Sequence, residues 1–122
     1  MGSISLKNKR IIVTGGARGL GRAFAEAAVE AGARIVVADI LKDLGLETAG
    51  DLSKRGEAYF EPVDLADPES VEALARSAAN RLGGVDGLVN CAAIATGIGG
   101  KFADDIDIET WDRVMTVNVR GT

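Results

Sequence analysis

The stretch Arg10-Ile-Ile-Val-Thr-Gly-Gly-Ala-Arg-Gly-Leu-Gly21 decides the fold of this chain. It opens with residues 10–14, a short apolar run without alternation, which is typical of a strand buried on both faces of a parallel sheet. Glycines occupy positions 15, 16, 19 and 21, and from Gly19 to Ala31 apolar residues recur at the three- and four-residue steps of a helix. The stretch therefore predicts a strand, a glycine-rich turn and a helix, which together open a β-α-β unit.

Strands and helices continue to alternate along the rest of the chain. We predict further strands at residues 34–38, ending at Asp39, and at residues 58–63 and 85–91. Helices are predicted at residues 41–54, at residues 67–82 and from Asp107 to the end of the chain. In the first helix the apolar face is expected to consist of Leu20, Phe24, Ala27, Ala28 and Ala31. The alternation predicts an α/β protein with a doubly wound, parallel, Rossmann-like sheet in the strand order 3-2-1-4, and Pro62 puts the third strand near an edge.

The composition excludes several classes of function. The chain has 122 residues, which is room for one domain, and its 47% of hydrophobic residues and net charge of −4 predict a folded protein. It has no histidine and one cysteine, so it can build neither a Ser/His triad nor a cysteine-based zinc site, and a reducing, cytoplasmic location fits. Its basic residues are scattered and no run reaches about 18 apolar residues, so we expect neither a nucleic-acid partner nor a membrane span. The acidic residues at positions 104, 105, 107 and 109 are interpreted as a solvated loop and helix start, so no metal site is expected.

The glycine-rich turn at residues 15–21 has the properties of a phosphate-binding loop. Glycines let the backbone approach a pyrophosphate closely, and the following helix presents free N–H groups and the positive end of its dipole. Asp39 stands about 18 residues beyond Gly21, at the end of the second strand, where a carboxylate can accept hydrogen bonds from an adenosine ribose. Together the loop and the carboxylate predict a dinucleotide-binding site.

Four segments match one known pattern in order and spacing: Thr14-Gly-Gly-Ala-Arg-Gly-Leu-Gly21, Asp64-Leu65, Asn90-Cys-Ala-Ala93 and Val117-Asn-Val-Arg-Gly-Thr122. On these segments the chain resembles the short-chain dehydrogenase/reductase family over essentially its whole length. Its Asn-Cys-Ala-Ala departs from the family's Asn-Asn-Ala-Gly, which we expect to be a local change. The resemblance implies a supporting catalytic role for Asn118, which would order a water in a proton relay. It also implies that the cofactor is bound by Gly15, Arg18, Gly19, Leu20, Gly21, Asp39, Ile40, Asp64, Leu65, Asn90 and Ala92.

The resemblance implies an NAD-dependent oxidoreductase that transfers a hydride between a small-molecule alcohol and a ketone or aldehyde. Asp39 favours NAD because its charge would repel the 2′-phosphate of NADP; Arg18 favours NADP, and we expect the carboxylate to decide. The family's catalytic Ser and Tyr-x-x-x-Lys have no counterpart here, so we expect the cofactor-binding half of a single domain, inactive alone. Residues 93–101 would form one wall of the substrate pocket, and the full-length enzyme would be a homo-oligomer, a dimer or a tetramer.

One alternative stays open, a non-catalytic dinucleotide-binding module that is complete at 122 residues. Two others fit the sequence less well. A phosphoreceiver domain would need clustered acids after the first strand to hold a metal, where this chain has Thr14-Gly-Gly-Ala-Arg18. A methyltransferase would also place an acid after the second strand, but without the asparagine that closes the fourth strand.

Overall fold

Strands and helices alternate in the computed structural model, which describes residues 4–95 and 100–122. The strands are β1 (Arg10–Thr14), β2 (Arg34–Asp39), β3 (Ala58–Pro62) and β4 (Gly87–Asn90), and the helices are α1 (Gly19–Glu30), α2 (Lys42–Ser53), α3 (Pro68–Leu82) and α4 (Ile108–Met115). A 3₁₀ turn, Ala103–Asp105, precedes α4, and a π-helical turn, Thr116–Arg120, follows it. The strands pair in parallel in the order β3-β2-β1-β4. The predicted doubly wound fold, its strand order and the edge position of β3 are confirmed.

The sheet is covered on both faces, and β2 supplies side chains to both cores. Ile35 and Val37 belong to the core that includes residues of α1 and α2, whereas Val36 and Ala38 belong to the core that includes residues of α3. None of these four side chains has exposed surface. A strand that is buried on both faces needs apolar residues at every position, which explains the unbroken apolar run in its sequence.

The buried face of α1 differs from the apolar face that we predicted from the positions of its larger side chains. Of the five apolar residues expected there, Ala28 is the only one that is buried, whereas Leu20 is 68% and Phe24 is 43% exposed. The buried residues of this helix are Gly21, Ala25, Ala28 and Val29. Small residues let α1 lie close to the loop before it, and a Cβ on Gly21 would collide with the carbonyl oxygen of Gly15. The close backbone approach, rather than side-chain size, therefore determines which face of α1 is buried.

Local signals predict most element ends correctly. Asp67 caps α3 by accepting a hydrogen bond from the N–H of Glu69, and Gly83 ends that helix with a φ of 79°. Gly32, with a φ of 96°, directly follows the C-cap of α1. β4 is shorter than the predicted residues 85–91. No helix in residues 4–95 and 100–122 is long and apolar enough to cross a membrane.

The helix predicted from Asp107 to the end of the chain begins at the expected cap and continues to Arg120, but its last part, Thr116–Arg120, is a π-helical turn rather than α-helix. After Met115 the backbone widens, and the N–H of Gly121 donates to the carbonyl of Thr116 at 2.8 Å. A Cβ on Gly121 would collide with the carbonyl oxygen of Leu65. The turn therefore packs backbone against backbone on the segment that follows β3, a contact that hydrophobic periodicity does not report.

Candidate functional site

A cavity of about 590 Å³ lies at the carboxyl ends of the four strands. This is the edge at which open α/β sheets bind their ligands. Most of the residues that the sequence predicts to bind a cofactor line this cavity: Gly15, Arg18, Gly19, Leu20, Gly21, Asp39, Ile40, Asp64, Leu65 and Ala92. Asn90, the last residue of β4, pairs with Thr14 in the sheet and does not line the cavity.

The three motif glycines of the loop differ in what surrounds them. Gly15 has a φ of +65°, and a Cβ there would stand 2.7 Å from the amide nitrogen of Ala92. A Cβ on Gly21 would collide with the carbonyl oxygen of Gly15. Gly19 has a φ of +59°, and a Cβ there would meet none of the described atoms within 4 Å. Gly15 and Gly21 thus allow backbone packing, whereas Gly19 leaves open space at the cavity wall.

The first turn of α1 begins at this open space. Its N-cap residue, Arg18, makes no side-chain hydrogen bond to the turn, and the first N–H groups of a helix have no acceptor within the helix. Those N–H groups and the positive end of the helix dipole attract anions. The uncapped turn and the open space beside Gly19 therefore fit the pyrophosphate of a dinucleotide.

Asp39 ends β2, and two backbone amides hold its carboxylate. Its Oδ2 accepts a hydrogen bond from the N–H of Ala17 at 3.1 Å, and its Oδ1 accepts one from the N–H of Leu41 at 3.0 Å. The residue is only 8% exposed, yet it lines the cavity. Each carboxylate oxygen can accept more than one hydrogen bond. The backbone thus orients a carboxylate that can still accept hydrogen bonds from a ligand's hydroxyl groups.

Thr14, at the end of β1, holds the end of β4 in place beside the cavity through hydrogen bonds. Its Oγ1 accepts a hydrogen bond from the N–H of Ala92 at 3.3 Å and donates to the carbonyl of Val89 at 3.5 Å. Its own carbonyl accepts from the N–H of Cys91 at 3.2 Å. Cys91 is half-buried and lines the cavity. These bonds hold the segment after β4 against Gly15, which is why no side chain fits at that glycine.

The segment after β3 forms another wall. Oδ1 of Asp64 accepts a hydrogen bond from the N–H of Ala66 at 2.9 Å, and the N–H of Asp64 donates to Oγ of Ser70 at 2.9 Å. This local turn fixes the direction of the exposed carboxylate. Arg113 in α4 and Val117 in the π-helical turn also line the cavity. Charged and apolar groups thus lie along one cavity wall.

Asn118 does not line the cavity but holds one of its walls. Its Oδ1 accepts a hydrogen bond from the N–H of Ile94 at 2.7 Å, and its Nδ2 donates to the carbonyl of Ile94 at 2.9 Å. Both polar groups of the amide are therefore bonded to the backbone of a single residue, which itself lines the cavity. The catalytic role of Asn118 stays a prediction, and its side chain is placed to act by positioning the segment after β4.

Ala93 and Ile94, which belong to the predicted substrate wall, line the cavity as expected, whereas sequence reasoning missed Leu41, Val63, Ala66, Cys91, Arg113 and Val117. The first four of these missed residues follow strand ends, so the position rule for α/β sheets could have found them. Arg113 and Val117 share a helix face, but nothing in the sequence connects that face to the cavity. Of the predicted substrate wall, residues 93–101, residues 96–99 lie outside the described residues. Within the described part of the chain, no three potential metal-ligating side chains of His, Cys, Asp or Glu lie together.

A parallel, doubly wound sheet with a glycine-rich loop after its first strand is typical of nucleotide-binding α/β proteins. A family model described as short chain dehydrogenase matches residues 9–122. The 2-(S)-hydroxypropyl-CoM dehydrogenase 3 of Xanthobacter autotrophicus is 40% identical over 118 residues, which are 96% of this chain and 45% of that protein. The chain belongs to the short-chain dehydrogenase family, a family of oxidoreductases, which confirms the resemblance predicted from its motifs.

Solved structures of related proteins share the fold and carry both forms of the nicotinamide cofactor. The 3-ketoacyl-(acyl-carrier-protein) reductase of Brucella melitensis, described as a complex with NADH, has a TM-score of 0.88 and 33% identity over 96% of this chain and 46% of its own. RhlG of Pseudomonas aeruginosa, described as an NADP active-site complex, has a TM-score of 0.81 and 30% identity over 96% of this chain and 43% of its own. The chain thus spans less than half the length of these relatives.

Proposed function

We propose that residues 1–122 form the cofactor-binding half of an NAD-dependent oxidoreductase that transfers a hydride between an alcohol and a ketone or aldehyde. When bound, the nicotinamide would supply the hydride acceptor or donor. The residues of this chain would hold the pyrophosphate at the first turn of α1 and the ribose at Asp39. The observation that carries the proposal is the fixed carboxylate of Asp39 on the same cavity wall as the glycine loop.

Asp39 supports a preference for NAD over NADP. Its carboxylate cannot turn away from the cavity without losing its hydrogen bonds to the N–H groups of Ala17 and Leu41. At about 4 Å and an effective dielectric constant near 20, a carboxylate repels each unit charge of a 2′-phosphate by about 4 kcal/mol. The same oxygens can accept hydrogen bonds from both ribose hydroxyls of NAD.

Arg18 lines the same cavity and is the group that would favour NADP. Its side chain is exposed, and solvent screens the attraction of an exposed charge. The carboxylate of Asp39 is nearly buried and held in place. We therefore expect the full-length protein to bind NAD at least about tenfold more tightly than NADP, a difference of about 1.4 kcal/mol.

Titration of the full-length protein with NADH and NADPH, followed by nucleotide fluorescence, tests this preference. Asp39→Ser should shrink the ratio of the two affinities, since it removes both the repulsion and the ribose contacts. Asp43→Ser is the control, because Asp43 carries the same charge in the first turn of α2 but does not line the cavity. Thermal unfolding of both variants separates loss of binding from loss of the hydrogen bonds that Asp39 makes to the backbone. A wild-type preference for NADPH would contradict the proposal.

Turnover of alcohols with NAD by the full-length protein tests the hydride transfer, and we expect residues 1–122 alone to be inactive. A native protein whose intact mass corresponds to 122 residues, and which binds NADH without turnover of any alcohol or ketone, would favour the non-catalytic module instead. A small-molecule substrate, a homo-oligomer and a cytoplasmic location are parts of the same proposal. The apolar side chains that α4 leaves exposed, Ile108, Trp111 and Met115, support the oligomer, which light scattering tests.

A further inference from the structure

A buried hydroxyl group connects α2 to the glycine loop. Thr48 of α2 has no exposed surface, and its Oγ1 lies 2.6 Å from the carbonyl oxygen of Ala17. Nη1 of Arg22, in α1, lies 3.2 Å from the same Oγ1. Arg22 is held in turn by Glu26 and Asp51, each 3.1 Å away. The hydroxyl thus stands between a fixed cation and the backbone of the loop.

The chemistry of the groups determines the direction of each hydrogen bond. A guanidinium group can only donate, so Oγ1 of Thr48 accepts from Arg22. The single hydroxyl proton is then donated to the carbonyl of Ala17. The hydrogen bond to Glu26 raises the pKa of Arg22, so the donor to Thr48 stays charged. A charged donor polarises the hydroxyl and strengthens the hydrogen bond that it donates in turn.

The backbone of Ala17 carries this network to Asp39. The carbonyl of Ala17 is held by Thr48, and the N–H of Ala17 donates to Oδ2 of Asp39 at 3.1 Å. Ala17 itself is fully buried. One hydrogen bond on each side of its Cα restricts the φ and ψ of Ala17, so the hydroxyl of Thr48 helps to fix where the N–H of Ala17 points. The direction of that N–H orients the carboxylate.

We infer that Thr48 and Arg22 are positioning residues for cofactor selection, which act through Ala17 to hold Asp39 in the orientation that accepts a ribose diol and repels a 2′-phosphate. The inference rests on the proposed function and names residues outside the cavity wall. Without the network, the carboxylate would keep only the hydrogen bond from the N–H of Leu41 as a backbone restraint, and it could turn about that bond. It would then bind the ribose of NAD less well and also repel the phosphate of NADP less. The two nucleotides should therefore respond differently, which a purely structural role would not produce.

The test measures the Kd of NADH and NADPH for variants of the full-length protein. Thr48→Val removes the hydroxyl at nearly constant volume and leaves the buried carbonyl of Ala17 without its donor. We expect the Kd of NADH to rise about tenfold, or about 1.4 kcal/mol, and that of NADPH to change by less than about threefold. Thr48→Ser keeps the hydroxyl and should restore the ratio of the two Kd values to within about twofold of wild type. Arg22→Met should change the ratio in the same direction but by less.

Ser53→Ala is the matched control for the loss of a hydroxyl on the same helix. Oγ of Ser53 is 2.7 Å from the carbonyl oxygen of Ala49, and Ser53 does not line the cavity. Its loss should lower the Tm without changing the ratio of the two Kd values. Because Arg22 is partly exposed, we expect Arg22→Met to fold. If Thr48→Val does not fold, Arg22→Met therefore tests whether the network affects the ratio of the two Kd values.

The possible outcomes distinguish the inference from the proposed function. The inference alone is overturned if Asp39→Ser changes the ratio of the two Kd values but neither Thr48→Val nor Arg22→Met changes it. The inference alone is also overturned if Thr48→Val and Arg22→Met raise the Kd of NADH and the Kd of NADPH by the same factor while the Tm falls as it does in Ser53→Ala. A wild-type protein that binds neither nucleotide, or prefers NADPH, overturns the proposed function and the inference with it.

Discussion

Replacing Gly19 with alanine should remove most cofactor binding while it leaves the fold intact. Gly19 has a φ of +59°, and a Cβ there would have none of the described atoms within 4 Å. The new methyl group would stand in the open space at the cavity wall, where the first turn of α1 begins. A pyrophosphate needs that space to reach the free N–H groups of the turn.

The cost to folding and the cost to binding can be separated. The left-handed conformation costs an alanine about 1–2 kcal/mol of folding free energy, and no collision adds to it. Each kcal/mol lowers the Tm by roughly 2–4 °C in a domain of 150–250 residues, so the Tm should fall by about 2–8 °C. A methyl group forced into a packed contact costs about 1–3 kcal/mol. The Kd of NADH should therefore rise by about 5- to 150-fold.

Gly83→Ala is a closely matched control. Gly83 has a φ of +79°, and a Cβ there would also have no described atom within 4 Å, but Gly83 ends α3 and does not line the cavity. This variant should lose about as much thermal stability as Gly19→Ala and bind NADH like the wild type. Calorimetric titration with NADH and thermal unfolding of the full-length wild type and both variants supply the comparison.

Two results would refute the reasoning. If Gly19→Ala binds NADH as tightly as Gly83→Ala does, the new methyl group meets no ligand and the loop does not hold the pyrophosphate. If both variants lose binding to the same extent, the cause is backbone strain anywhere in the fold, and the open space at Gly19 has no special role.

Two more predictions concern the wall after β4 and the dependence of stability on pH. Asn118→Ala should lower kcat of the full-length enzyme by about tenfold or more and change the Kd of NADH little, because the wall loses both hydrogen bonds to Ile94; an unchanged kcat would remove Asn118 from the mechanism. Nε of Arg10 lies 2.9 Å from Oδ2 of Asp86 and holds the pKa of that carboxyl well below its usual range. The pair therefore stabilises the fold above the unfolded-state pKa of about 3.9 and loses this effect as the pH falls toward the folded-state value. The Tm difference between the wild type and Asp86→Asn should shrink below about pH 4, and a difference that is as large at about pH 3 as at about pH 7 would contradict this.

The elements of the fold follow from local signals, whereas the packing of two helices does not. Asp67 and Gly83 mark the ends of α3 through hydrogen bonding and backbone conformation that involve only near neighbours. The buried face of α1 depends on the distance between Gly21 and the carbonyl of Gly15, and the π-helical turn depends on contact with the segment after β3. Both are contacts between backbones, and hydrophobic periodicity describes only side chains.

The position of Asp39 was predictable, but the way in which its carboxylate is held was not. An acid at the end of the second strand is recognised by its distance from the glycines along the chain. The hydrogen bond from Ala17, however, depends on the conformation of the loop, which Thr48 supports from a helix that carries no motif. The motif thus includes the carboxylate at the cavity but not Thr48, which supports the loop that holds it.

The glycines of the loop show how much of a motif reports on function. A side chain at Gly15 or Gly21 would collide with backbone atoms of the protein itself, so both glycines are required whether or not a nucleotide binds. Gly19 has no such neighbour among the described atoms, and its positive φ alone would be tolerated by other residues at a cost of about 1–2 kcal/mol. Gly83 is equally unobstructed but lies away from the cavity, whereas Gly19 lies on the cavity wall, where the missing side chain leaves room for a ligand. The motif glycines Gly15 and Gly21 therefore indicate the fold, whereas Gly19 is the motif glycine that indicates a bound pyrophosphate.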